Sequence, residues 1–192
     1  MSYDLHLVRI PPGADAQAVV DASVAMDEEA QLNPGEPDPA KEETKRRLAA
    51  ALQAVNPLLT AFPFNYSELA RLEKITEQEA RRRFRHVELN GPEDGNGIQI
   101  TLFDDTVTIT IPYWHHGYKA QQAFREIWSH LEVLEGGGGL RSYDPQLERG
   151  LSLGTDFQAV LAKYGDGVGF TDQVAADITD PSRPDRPWWR FW

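Results

Sequence analysis

The sequence predicts an α+β fold in one domain of 192 residues: a mainly antiparallel sheet with amphipathic helices packed on one face. Three observations carry that prediction. Ile98, Ile100 and Leu102 alternate with polar residues, and so do Val107, Ile109 and Ile111 after the Asp104-Asp105 pair. Period-two alternation marks strands with one buried face. Ala120, Phe124, Ile127, Trp128, Leu131 and Leu134 then follow helical spacing and supply a surface to bury those strands. Finally, Tyr3 to Ile10 alternates as an N-terminal strand that ends at Pro11-Pro12-Gly13.

Each element follows from local chemistry. A loop at Asp104-Asp105 sets Leu102 against Val107, Ile100 against Ile109 and Ile98 against Ile111, with all six aliphatics on one side. A slip of one residue would turn all of them to water, so the pattern sets its own register. Asp15 is placed to cap a helix running to about Glu29, and a second helix is expected over Lys41–Val55, closed by Asn56-Pro57. Between them the Pro/Gly/acid stretch near 31–40 reads as a mobile loop. Leu58 to Tyr66 reads as an irregular loop over the core, because Phe62-Pro63-Phe64 is incompatible with a central strand. Thr76 with Glu79 matches a capping box and opens a short helix to about Phe84. Arg85–Leu89 reads as a strand. Gly136 to Gly139 are expected to stop the long helix, and Leu140–Tyr143 to form a short strand before Pro145. Leu151 and Leu153 extend the sheet in this reading, Asp156–Tyr164 is a helix, and 165–187 is mostly loop.

Composition narrows the function classes. Hydrophobic content of 41% over this length suffices for one core burying about 70% of the unfolded surface. No apolar run reaches the ~20 residues of a membrane span, and Met-Ser-Tyr-Asp-Leu-His lacks the features of a secretory signal, so a cytoplasmic location is expected. The absence of cysteine removes disulfides, thiolate catalysis and zinc–sulfur sites. A net charge of −11 argues against nucleic acid and suits a basic protein partner, with solubility as the plainer explanation. The charge is uneven: residues 1–43 carry a net −8 and residues 44–92 a net +4, which allows the two segments to neutralise each other.

No catalytic constellation is legible. Adjacent His115 and His116 point apart in extended chain and suit a corner better than a shared metal. Gly165-Asp166-Gly167-Val168-Gly169 has the wrong glycine spacing for a dinucleotide loop. Glu93, Asp94 and Asn96 do not match a calcium loop, and Ser142 and Ser152 lie in no nucleophile motif. No cofactor and no metal are expected. The candidate partner surface is the acidic set Asp27, Glu28, Glu29, Glu36 and Asp38, joined by Trp114 and by the tail residues Trp188, Trp189 and Trp192. Trp dominates interface hot spots, and the tail 183–192 is read either as folding back on the body or as a homodimer anchor.

Met1-Ser2-Tyr3-Asp4-Leu5, Ile111-Pro112-Tyr113-Trp114, Ile127-Trp128 and Tyr143-Asp144-Pro145-Gln146 together resemble uncharacterised bacterial proteins with an N-terminal Ser-Tyr-Asp-Leu strand and a Tyr-Asp-Pro-Gln turn. Some of these are similar to immunity proteins encoded beside secreted toxins. The resemblance covers residues 1–10 and about 98–165, and it transfers no active-site motif. It implies a non-enzymatic inhibitor that binds a basic toxin domain. The alternatives are a small hydrolase-like enzyme with a polar site at His115, His116, Tyr143 and Asp144, with Glu132 as a further candidate, and a homo-oligomeric structural protein.

Overall fold

The structure is a computed structural model that describes residues 2–11, 13–15, 17–23, 35–92 and 95–179, with side chains as far as 173. The elements run β1 (Ser2–Val8), α1 (17–23), α2 (Pro39–Val55), β2 (Thr60–Ala61), α3 (Tyr66–Glu73), α4 (Glu77–Arg83), β3 (Val87–Asn90), β4 (Gln99–Leu102), β5 (Val107–Pro112), α5 (Gly117–Gly138), β6 (Arg141–Asp144), β7 (Arg149–Gly150) and α6 (Phe157–Thr179). This is an α+β fold. The described strands form one seven-stranded sheet in the order β2-β3-β4-β5-β1-β6-β7, with every neighbouring pair antiparallel.

The hairpin has the register its alternation demands. Ile100 pairs with Ile109 and Leu102 with Val107, and Phe103 N–H donates to the Thr106 carbonyl at 3.0 Å. Ile98, Ile100, Leu102, Val107, Ile109 and Ile111 are all buried. β1 lies between β5 and β6, so Tyr3, Leu5 and Leu7 extend the same apolar face. Leu48 and Leu52 of α2, Phe124, Ile127, Leu131 and Leu134 of α5, and Val160, Tyr164 and Val168 of α6 pack on that face. Each large side chain buried there contributes roughly 1.5–3 kcal/mol. The opposite face carries Asp4, His6, Thr108, Thr110, Gln99 and Thr101, and α1 covers one corner of it by setting Val20 against Val8 and Tyr143.

Several local expectations are revised. The segment expected to be loop over 165–187 is helical as far as Thr179. Val160, Tyr164 and Val168 recur every four residues and are buried, which offsets the roughly 1 kcal/mol that each of the three glycines costs within a helix. Gly167 has a packing role as well: a Cβ there would stand 2.2 Å from the Tyr113 ring. Gly136 to Gly138 continue α5, and only Gly139, at φ +62°, takes the left-handed conformation that ends it. Of the stretch near 31–40, residues 31–34 lie outside the described residues; in the rest, Arg85 donates to the Gly35 carbonyl at 3.0 Å, and Asp38 caps α2 by accepting from Ala40 N–H at 2.8 Å. The irregular stretch after Asn56 contains the edge strand β2. Leu59 is buried there, whereas Leu58 and Phe62 are exposed. It is followed by α3, which no expectation covered. β7 consists of Arg149–Gly150, and the sheet contact continues only through Leu151 N–H to the Ser142 carbonyl at 2.9 Å.

Candidate functional site

The corner between β5 and α5 sends consecutive side chains in different directions. Tyr113 turns inward and stacks on Tyr164 at 5.3 Å between centroids, in the space that Gly167 leaves. Tyr164 OH donates to the Pro112 carbonyl at 2.6 Å and accepts from His115 N–H at 3.1 Å, which pins the backbone of the corner to α6. Burial raises the pKa of Tyr164 above the ordinary phenol value and keeps it protonated as that donor. His115 is buried, and its Nε2 lies 2.6 Å from the Asn96 carbonyl and 3.0 Å from Trp114 Nε1. The Trp114 indole N–H is directed at this same ring nitrogen, so His115 holds the indole from behind.

Trp114 therefore sits on a fixed backbone and faces outward. It is 58% exposed, with one edge of its ring over Gly97, where a Cβ would stand 2.4 Å from Cζ2. Tyr118 in the first turn of α5 and Phe170 on α6 are 66% and 59% exposed. His116 caps α5 through its backbone alone, and its side chain lies 3.9 Å from that of Asp172 on α6. Asp166 stands one turn before Phe170 on the same side of α6. Trp114, Tyr118 and Phe170 are thus three exposed aromatic side chains, the first two at the β5–α5 corner and the third on α6.

The polar set His115, His116, Tyr143 and Asp144 is not brought together around one centre. His115 is buried beside Asn96, and His116 is exposed beside Asp172. Tyr143 and Asp144 alternate along β6 and face opposite sides of the sheet. Tyr143 OH donates to Gln17 of α1. Asp144 accepts from the Tyr3 hydroxyl and from the backbone N–H groups of Gln146 at 2.8 Å and Leu147 at 3.1 Å. The Tyr-Asp-Pro-Gln turn thus closes on itself through a buried carboxylate, and the tyrosine of the N-terminal strand seals it.

Of the acidic partner set, Glu36 and Asp38 are described, and both are exposed while holding a contact within the chain. Glu36 pairs with Arg82 at 2.6 Å, and Asp38 is the α2 cap. Deeper in the same region, Lys45 Nζ lies within 2.8 Å of Glu42 and of Asp104 and 3.0 Å from the Arg85 carbonyl, while Arg85 reaches Asp104 at 2.7 Å. Burial disfavours the Asp104 charge, but the hydrogen bonds from Arg85 and Lys45 outweigh it, and the carboxyl sits below its ordinary range. The acidic segment 1–43 and the basic segment 44–92 therefore neutralise each other in part, through Glu36–Arg82 and Glu42–Lys45. Asp27, Glu28, Glu29, Trp188, Trp189 and Trp192 lie outside the described residues.

A further polar group went unread in the sequence. Glu126 accepts from Asn56 and from Asn96, the latter at 2.7 Å, and His130 follows one turn later with Nε2 3.4 Å from the Asn56 amide. His130 is fully buried, its Nδ1 has no partner, and burial lowers its pKa to about 4. Its signal was a polar pair at i and i+4 inside an otherwise apolar helix stripe. Among the described residues no cluster of His, Cys, Asp and Glu is arranged to hold a metal, and no helix is long and apolar enough to cross a membrane. No protein family, curated protein or solved structure matches this chain.

Proposed function

We propose that this chain is a binding protein of the immunity type, which holds a basic toxin domain against the β5–α5 corner that exposes Trp114 and Tyr118. The observation that carries this reading is Trp114: a large aromatic group exposed on a backbone that buried His115 and Tyr164 hold in place. An anchor ordered before binding loses little entropy on association, and Trp and Tyr are the side chains that most often dominate interfaces. Asp166 and Asp172 on α6, with the net charge of −11, favour a cationic partner and faster encounter at low salt. Inhibition in this reading is steric and needs no reacting group.

The test is capture from the native host with the products of neighbouring genes supplied, at low and at high ionic strength, followed by calorimetry on the captured pair. A basic partner is expected, and Trp114→Ala is expected to weaken it at least about 30-fold, near 2 kcal/mol. Unchanged affinity in that variant would remove the corner from consideration. A homodimer by sedimentation, abolished by Trp114→Ala, would favour a second copy of the chain as the occupant.

A further inference from the structure

A cavity of about 220 Å³ opens between α2, the β4–β5 turn and the corner joining α5 to β6. It lies apart from the β5–α5 corner and belongs to no contact of the proposed partner. Its floor is apolar, formed by Leu48, Val107 and Leu140 with Phe103 at one wall. Its cations are Arg9, Lys41 and Lys45 and its carboxylates are Asp104 and Asp105, which leaves an excess of one positive charge in a chain of net charge −11. Just behind the wall, Arg85 and Glu42 cancel each other.

The three cations differ in what they can still do. Lys45 is 2% exposed and its ammonium already faces three oxygens, so it belongs to the wall. Lys41 is paired with Asp105 at 2.5 Å across the mouth. Arg9 is exposed and has no acidic partner among the described residues; its guanidinium stands close over Gly139, where a Cβ would lie 3.3 Å from a terminal nitrogen. The planar fork of an arginine fits a carboxylate through two parallel hydrogen bonds. One unpaired positive charge suits a monoanion better than a phosphate dianion. An apolar floor beside a few polar groups is the usual composition of a small-molecule pocket.

We infer that this cavity binds a small amphiphilic carboxylate, with its head on Arg9 and the edge of Lys41 and its apolar body on Leu48, Val107 and Leu140. Octanoate is the probe. Titrated into protein labelled at Leu and Val methyl groups, it is expected to move the Leu48, Val107 and Leu140 signals saturably, with a dissociation constant on the order of 1 mM or tighter. Octanol, which lacks the charge, and inorganic phosphate, which lacks the apolar body, are each expected to bind at least about tenfold more weakly. Arg9→Met removes no ion pair of the described fold and is expected to weaken octanoate about tenfold. Thr44→Trp, at the mouth, is expected to block it. Equal binding of octanol and octanoate, equal octanoate binding by Arg9→Met, or no saturable shift at those three methyl groups would each overturn the assignment.

Discussion

Two aspartates, Asp104 half-buried and Asp144 fully buried, close turns at opposite ends of the sheet, and they are held by different means. Asp104, after β4, is clasped by the ammonium of Lys45 and the guanidinium of Arg85. Asp144, at the end of β6, is held by neutral donors: the Tyr3 hydroxyl and the N–H groups of Gln146 and Leu147. The difference follows from what each must join. The first ties α2, the approach to β3 and the hairpin turn, which are distant in sequence, and long cationic stems can span them. The second closes a local turn, where backbone N–H groups already converge and one tyrosine from the neighbouring strand completes the set. The charged clasp exposes its region to acid and to the loss of a partner. The neutral one ties its region to a single hydroxyl.

Breaking the charged clasp has the largest expected effect. Lys45→Met leaves Glu42 without its near cation and Asp104 with Arg85 alone, and should cost about 3–5 kcal/mol in urea unfolding. Adding Asp104→Leu should recover part of that loss, because Arg85 and Glu42 then remain as a pair; a double variant less stable than the single one would show that the cluster acts through packing instead.

The pH dependence separates a third group from both. His130 is lowered to about 4 by burial, so it is neutral in the fold and gains a proton on unfolding at mildly acid pH. The unfolded chain binds more protons between about 6.5 and 4, so stability should be full above that window and fall by about 3 kcal/mol as pH drops through it. Asp104, also depressed, adds a further loss only near and below about pH 4. His130→Phe should shrink the loss in the upper window, to which His6 and His86, also lowered by burial, still contribute, and should leave the lower one unchanged, read by unfolding across pH.

The smallest effect sharpens the neutral side of the comparison. Tyr3→Phe removes one donor from the buried Asp144 and leaves two, with a cost of about 1.5–3 kcal/mol. The loss should be insensitive to ionic strength, and a variant as stable as the parent would mean that the turn closes on its backbone donors alone.

Where pattern and physics were both local, the sequence could be read directly. The hairpin register, the helix stripe of α5 and the Thr76 cap of α4, whose hydroxyl accepts from Glu79 N–H at 3.1 Å, were all legible. The helix α3 carried a similar signature that went unread: Asn65, with Glu68 three residues on, accepts from Glu68 N–H at 3.2 Å. α6 was cut short at Tyr164 because three glycines outweighed the four-residue spacing that continues to Val168. Of the candidate site, Trp114 alone among the described residues stood out beforehand as an exposed aromatic. Tyr118 and Phe170 are exposed as well, because α5 and α6 turn their other faces to the core.

The amino-acid order by itself determined which faces are apolar, and hence the strands, the helices and the hairpin register, because burial acts on patterns a few residues long. Only the tertiary structure decided that β1 runs between β5 and β6, that Asp144 and Tyr143 part to opposite faces, and that exposed Glu36 pairs with Arg82 while exposed Asp38 caps α2. Those outcomes depend on which distant groups arrive within 3 Å of one another, and a hydrogen bond or ion pair carries no periodic trace along the chain that forms it.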